Sequence, residues 1–234
     1  MKPVLYLGTK TYSSWSLRPW LVAKKAGLDF EEVIIDFDQP DTKQKIQAVS
    51  PSAKVPVWVD EHIRIWDSLA ICEYFAEQVP SLWPVDRIQR AKARSISAEM
   101  HSGFAALRTE MGMNVRAYQR QIELSDAALN DLKRIENIWT DLLQQQQSSG
   151  DQAAWLFGEF SIADAMFAPV AIRLNAYAVT MSPVMKAYQA KFYADPDFQQ
   201  WIRDAEEETL IVPRLELGQD NANNHPTIQP NDKA

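Results

Sequence analysis

Thr11-Tyr-Ser-Ser-Trp-Ser-Leu-Arg-Pro-Trp20 is the stretch that decides how this 234-residue chain is read. It comes after a short apolar run, Val4-Leu-Tyr-Leu7, and leads into Leu21–Ala26 before Gly27. The apolar run reads as a buried strand, and the segment ending at Gly27 reads as a helix closed by glycine. Ser13, Ser14 and Ser16 lie between the two, where a serine hydroxyl can satisfy an orphan backbone N–H. Pro19 is expected in the first helical turn, where a missing N–H costs least. Hydroxyls, free N–H groups and the positive end of a helix dipole thus converge, a natural seat for an anion or a thiolate. The plain alternative is that the serines only cap a helix.

Outward from this stretch the chain changes character once. Phe30–Ile35 reads as a second strand, reached by a right-handed crossover. Thr42–Val49 is a short helix, and Pro56 opens a strand that returns through the Asp60-Glu-His62 turn to Ile63–Trp66. Asp67-Ser68 caps a helix over Leu69–Ala76. Val79-Pro-Ser-Leu-Trp-Pro84 breaks the pattern, and beyond it every periodicity is helical. Ile88, Ala91, Ile96, Met100, Phe104, Leu107 and Met111 mark one face of a long helix, and Ala128–Leu142 another. Ser161-Ile-Ala-Asp164 opens a further helix with a capping-box variant, and Pro169 should kink it. Two shorter helices are expected near Val184–Ala194 and Asp197–Glu208. The expected organisation is an α/β unit over residues 1–78, a linker at 79–86, an all-helical unit over 87–217 and a disordered polar tail over 218–234.

Composition narrows the function. Apolar residues make up 46% and charged residues 24%, ordinary for a soluble globular chain. A formal charge of −7 argues against non-specific nucleic-acid binding, so an anionic substrate must be held by local positive charge. The single cysteine, Cys72, excludes an internal disulfide framework and suits a reducing compartment. No run is apolar enough for a signal segment or a membrane span, so a cytoplasmic protein with no membrane partner is expected.

At this point the motifs resemble a known family. Ser13-Ser-Trp-Ser-Leu-Arg18 is similar to the Ser-Ser-Cys-Ser-x-Arg motif of zeta-class cytosolic glutathione transferases, with Trp15 in place of cysteine. Val55-Pro56, with Asp67-Ser68 eleven residues on, resembles the family's cis-proline and its Glu/Gln-Ser pair. Ser161–Asp164, with Leu156, Gly158 and Pro169 around it, resembles its folding cap. The likeness spans roughly residues 3 to 210. It implies a thioredoxin-like N-terminal domain, an all-α C-terminal domain, a homodimer and a detoxifying conjugation reaction. Apolar surface for the dimer is expected at Trp58, Trp66 and Trp83.

The resemblance also implies roles. Glutathione is the cosubstrate, no metal is required, and the second substrate is a small electrophile. Val55, before a cis Pro56, exchanges backbone hydrogen bonds with the cysteine of glutathione. Trp15 and Lys54 flank the tripeptide, Lys54 near its glycine carboxylate. Asp67 meets the γ-glutamyl ammonium and Ser68 its carboxylate. Ser13 or Ser14 hydrogen-bonds the thiol: the zeta-like register favours Ser13, and theta-like spacing to Arg18 favours Ser14. Ser13 is the preferred donor, with Ser14 adding a second bond or a cap, while Ser16 bonds backbone. Phe104, Leu107, Arg108, Met111 and Met113 are placed at the second-substrate pocket, with Arg108, Arg116 and Arg173 available for an acidic electrophile. Zeta-class isomerases use an arginine three residues beyond Arg173, where this chain has Ala176; that departure counts against maleylacetoacetate isomerase activity. The competing readings are a glutathione-dependent isomerase and a non-catalytic interaction module of the same fold.

Overall fold

Alternating apolar residues and β-branched runs make four strands, and the computed structural model describes them within residues 2–148, 150 and 155–220. Strands β1 (Val4–Gly8), β2 (Glu31–Ile35), β3 (Val57–Val59) and β4 (Arg64–Trp66) form one sheet in the order β2-β1-β3-β4. β1 runs parallel to β2 and antiparallel to β3, and β3 pairs antiparallel with β4. The parallel pair needs a crossover, which α1 (Ser14–Lys25) supplies. The tight β3–β4 turn is held by Asp60, whose Oδ1 accepts from the His62 and Ile63 N–H groups at 2.9 and 3.0 Å. Helices α2 (Thr42–Val49) and α3 (Ser68–Gln78) complete this mixed layer, with a thioredoxin-like arrangement.

From Arg87 onward the described chain is helical, apart from connecting segments. The helices are α4 (Arg87–Ser102), α5 (Ala105–Glu110), α6 (Asp126–Ser148), α7 (Ile162–Ala176), α8 (Pro183–Ala194) and α9 (Pro196–Glu207). α7 is apolar on all sides because it is buried on all sides, packed against α1, α4 and α8. Its N-terminus is fixed by Asp164, whose carboxylate accepts from Ser161 N–H and O–H at 2.9 Å each. The same carboxylate accepts from Leu156 N–H at 3.0 Å and Tyr188 O–H at 2.6 Å. No helix among the described residues is long and apolar enough to cross a membrane.

Several expectations are corrected here. The apolar stripe from Ile88 to Met111 does not lie on one helix. α4 stops at Ser102, Phe104 takes the left-handed conformation at φ 56°, and α5 starts in a new direction. A side chain on Gly103 would meet the Glu99 carbonyl at 2.8 Å, so glycine permits the break. Ile88 is 79% exposed rather than core. Pro19 sits inside α1, one turn deeper than expected, where it removes a helical N–H donor. Trp58 and Trp83 are buried, leaving Trp66 as the exposed member of that trio. Of the expected polar tail, Gln219 exchanges two backbone hydrogen bonds with Gln121, and Asp220 pairs with Arg120. Residues 221–234 lie outside the described residues.

Candidate active site

The loop from Thr9 to Ser13 turns tightly out of β1, with Tyr12 and Ser13 N–H groups both donating to the Thr9 carbonyl at 3.1 and 2.9 Å. Gly8 at its entrance lets the Phe37 ring lie against the backbone, since a Cβ there would come within 2.3 Å of that ring. The three serines then separate in role. Ser16 Oγ accepts from Gly8 N–H at 3.0 Å and from the Ser13 hydroxyl at 2.7 Å. Ser13 is thereby committed inward. Ser14 opens α1, and its hydroxyl has no partner among the described residues. Both Ser13 and Ser14 line a cavity of about 480 Å³, with Tyr12, Trp15, Phe37, Lys54, Val55, Arg108, Met113, Arg173, Arg214 and Leu215 also in its walls.

A second cavity of about 430 Å³ adjoins the first through Trp15, Lys54 and Val55, the residues common to both. Its other walls are Ser52, Pro56, Trp66, Asp67, Ser68 and His101. The Val55–Pro56 peptide is cis. Asp67 holds φ at 79°, a conformation uncommon outside glycine that Asp and Asn tolerate better than most residues. It caps α3 through Oδ1, which accepts from Leu69 and Ala70 N–H at 2.9 and 3.2 Å. Its Oδ2 lies 3.1 Å from His101 Nε2. Beside it the Ser68 hydroxyl is buried with no partner among the described residues. A carboxylate, an unpaired hydroxyl and a helix N-terminus stand together, the chemistry that holds an amino-acid zwitterion.

Trp15 separates the two cavities and is flanked by cations. Arg18 stacks 4.3 Å from its ring centroid and Arg108 lies 5.2 Å away, while His101 meets it edge-on at 5.3 Å. Three arginines gather here with their hydrogen bonds directed at carbonyls and not at carboxylates, among the described residues. Arg18 Nε donates to Met166 O at 3.2 Å, Arg173 Nε to Met111 O at 2.6 Å, and Arg108 Nη1 to Met100 O and His101 O. Burial, with Arg173 and Arg108 adding repulsion, pushes Arg18 down to about 9; burial likewise takes Arg173 down to about 10. Both remain cationic near neutral pH. Uncompensated buried positive charge beside an open cavity favours an anion there.

The structure brings together Ser13, Ser14, Trp15, Lys54, Val55, Pro56, Asp67, Ser68, Arg108, Met113 and Arg173 from the residues singled out in the sequence. It does not bring Phe104, Leu107 or Met111 into either cavity. All three pack in the core, because the break at Gly103–Phe104 turns their face inward. Arg116 is also elsewhere, donating to the carbonyls of Glu208 and Leu210 at 2.5 Å each. Cys72 is fully buried in α3, and burial pushes its thiol well above the usual range, so it supplies no thiolate. Sequence reasoning missed His101, Tyr12, Phe37, Arg214 and Leu215. A lone histidine at a helix end and an arginine after the last helix carry no local signal of a site. No group of His, Cys, Asp and Glu among the described residues is arranged to hold a metal.

Among known proteins, a family profile described as the glutathione S-transferase N-terminal domain matches residues 12–78. A probable maleylacetoacetate isomerase of Caenorhabditis elegans is 30% identical over 187 residues, covering 78% of this chain and 83% of that protein. The maleylacetoacetate isomerase of Rattus norvegicus is 30% identical over 188 residues, covering 78% and 82%. Among solved structures, a Burkholderia glutathione transferase homolog with bound glutathione is 28% identical with a TM-score of 0.68, covering 89% of this chain and 100% of that one.

Proposed function

This chain belongs to the glutathione S-transferase family, and from that premise we propose that it is an enzyme which adds the thiolate of glutathione to a small anionic electrophile. The observation that carries the reading is the Ser14 hydroxyl in the wall of the larger cavity, without a partner among the described residues, where Arg108 and Arg173 also stand with their hydrogen bonds on carbonyls. The smaller cavity takes glutathione. Asp67 receives its α-ammonium, and Ser68 O–H and N–H receive its α-carboxylate. The Val55 backbone lies along the cysteinyl residue, and Lys54 reaches toward the glycine carboxylate. That pose sets the sulfur at the mouth of the larger cavity, over the N-terminus of α1.

Ser14 O–H donates to the sulfur and stabilises its ionised form, helped by the helix dipole and the arginine field. The sequence register favours Ser13 as donor; its commitment to Ser16 supports giving the direct role to Ser14 and a bracing role to Ser13. The thiolate then attacks the electron-poor carbon of a substrate held by Arg173 and Arg108. A carbon–sulfur bond forms, the displaced π electrons move onto the substrate's conjugated oxygen, and the arginines stabilise that charge. Protonation from solvent completes transfer.

Isomerisation is a second reading with its own support, the maleylacetoacetate isomerase relatives. There the adduct rotates about the carbon–carbon bond that addition has made single, and re-forming the double bond expels the thiolate, so glutathione is regenerated. Ala176 occupies the position where the zeta-class resemblance expects an arginine, but Arg173 lines the cavity from one turn earlier on the same helix. The two reactions separate cleanly in a thiol assay. With maleylacetoacetate as substrate, transfer consumes glutathione in step with substrate, and isomerisation leaves the thiol concentration constant. Either outcome requires at least tenfold lower turnover in Arg173→Met. A neutral aryl halide should be turned over equally by wild type and Arg173→Met, and equal turnover of maleylacetoacetate by the two would contradict the anionic substrate. Absence of glutathione binding would leave the interaction-module reading.

A two-fold homodimer is part of the same proposal, supported by the exposed apolar residues Ile63, Trp66, Val85 and Ile88 around β4 and the start of α4. Sedimentation at twice the chain mass of 26.7 kDa is expected, and a monomer at micromolar concentration would contradict it.

A further inference from the structure

The loop that carries the serines has two N–H groups it cannot satisfy itself. Tyr12 and Ser13 N–H bond back to Thr9, but those of Lys10 and Thr11 point away toward the end of α9. There one carboxylate receives both. Glu208 Oε1 lies 2.6 Å from Lys10 N, and Oε2 lies 2.8 Å from Thr11 N and 2.7 Å from Thr11 Oγ1. Lys10 and Thr11 are almost wholly buried, so these bonds have little competition from water. Glu208 stands at the C-terminal cap of α9, where a carboxylate opposes the helix dipole. Nothing in α9 favours an acid at that position; the loop's N–H groups do. Arg116 fastens the same junction from the other side, donating to the Glu208 carbonyl and, at 3.1 Å, to Tyr12 Oη.

The geometry points to Glu208 as a positioning residue for Ser13 and Ser14. It acts through the loop and touches no substrate, and the inference rests on the glutathione reading proposed for the site. Thr11 is two residues before Ser13 and three before Ser14, too close for the loop to absorb a shift without moving the hydroxyls. The glutathione-holding groups Lys54, Val55, Asp67 and Ser68 lie on other segments. Loss of Glu208 therefore separates thiol activation from ligand affinity.

The test compares Glu208→Ala, Glu208→Gln and the exposed neighbour Glu207→Ala in the full chain. Three quantities are measured: kcat with the acceptor that wild type turns over, the thiol pKa of bound glutathione by thiolate absorbance, and the Kd of S-methylglutathione. A displacement of about 1 Å can cost roughly a hundredfold in rate, so Glu208→Ala is expected to lower kcat by about ten- to a hundredfold. It should also raise the bound thiol pKa, and hold the S-methylglutathione Kd within about threefold of wild type on the standing scatter of such contributions. Glu208→Gln keeps one acceptor oxygen for Thr11 and should fall between, while Glu207→Ala should match wild type. If Glu208→Ala does not fold, Thr11→Val removes the hydroxyl's contacts with Glu208 and with the Ala205 carbonyl, keeps both backbone N–H bonds to Glu208, and should shift kcat and thiol pKa in the same direction. Unchanged kcat and thiol pKa in folded Glu208→Ala, or a Kd that weakens in step with kcat, would overturn the assignment. A wild type that binds no S-methylglutathione overturns the glutathione reading itself, and this one with it.

Discussion

Asp67→Asn separates the two jobs assigned to one side chain. Asp67 caps α3 through Oδ1 and offers Oδ2 to His101 and, in the proposed complex, to the ammonium of glutathione. Asparagine caps a helix about as well as aspartate and also tolerates a φ of 79°. The Oδ1 bonds to Leu69 and Ala70 can therefore persist. The His101 contact is half-exposed, and such surface pairs contribute about 0–1 kcal/mol. Folding stability should change by less than about 1 kcal/mol in all, the sum of a conserved cap and a lost surface pair. Binding should not be spared. A hydrogen bond to a charged group contributes about 1.5–3 kcal/mol, and the neutral amide keeps only part of it. At about 1.4 kcal/mol per tenfold, affinity for S-methylglutathione should fall by roughly ten- to a hundredfold. Calorimetric titration gives the Kd and thermal melting the stability of the same preparation. A Kd within threefold of wild type, in a protein that melts normally, would mean that Asp67 is a helix cap and nothing more.

Two further outcomes concern stability. Asp164→Ala leaves the buried donors of Leu156, Ser161 and Tyr188 without their acceptor, and at about 1–3 kcal/mol per unsatisfied group a loss of about 3–9 kcal/mol is expected in denaturant unfolding. Ser161→Ala should cost only about 1 kcal/mol, and equal losses in the two variants would refute the central role of the carboxylate. Burial works to raise the Glu216 carboxyl, but bonds from Tyr12, Arg120 and Asn114 outweigh it and hold the pKa below the usual 4.5. A carboxyl lowered by folding adds stability that is present above 4.5 and lost as pH falls through its folded value. The melting temperature of wild type should thus drop more steeply than that of Glu216→Gln on acidification below that point, and parallel curves would contradict the sign.

Much of the fold was legible because its signals are local. The strand Val4–Leu7, the serines before α1, Asp67-Ser68 at α3 and Ser161 with Asp164 at α7 each combine a hydrophobic period with a capping chemistry only a few residues long. Asp67 and Ser68 of the smaller cavity, the one proposed to take glutathione, sit at an element boundary of this kind. Other parts of the site depend on contacts that span a hundred residues or more. Tyr12 meets Arg116 and Glu216, Thr11 meets Glu208, and Asp38 meets Arg214 of the larger cavity through paired bonds of 2.9 Å. No periodicity announces such pairs. The apolar steps from Met100 to Met111 continue in helical register through Gly103 and Phe104, so spacing alone hides the left-handed residue that ends α4. His101 was missed for the same reason: its significance comes from Asp67 and Trp15, which other segments supply.

The central claim is that a serine hydroxyl activates the thiol of bound glutathione, with Ser14 as its direct donor. Titration of that thiol by thiolate absorbance in wild type, Ser13→Ala and Ser14→Ala tests it most directly. A hydrogen bond to ionised sulfur of about 1.5–3 kcal/mol corresponds to roughly one to two pKa units, the rise expected in Ser14→Ala. Ser13→Ala should produce a smaller rise, through the loss of its bond to Ser16. A rise in Ser13→Ala with none in Ser14→Ala would contradict the assignment of the donor, and no rise in either would contradict serine activation altogether.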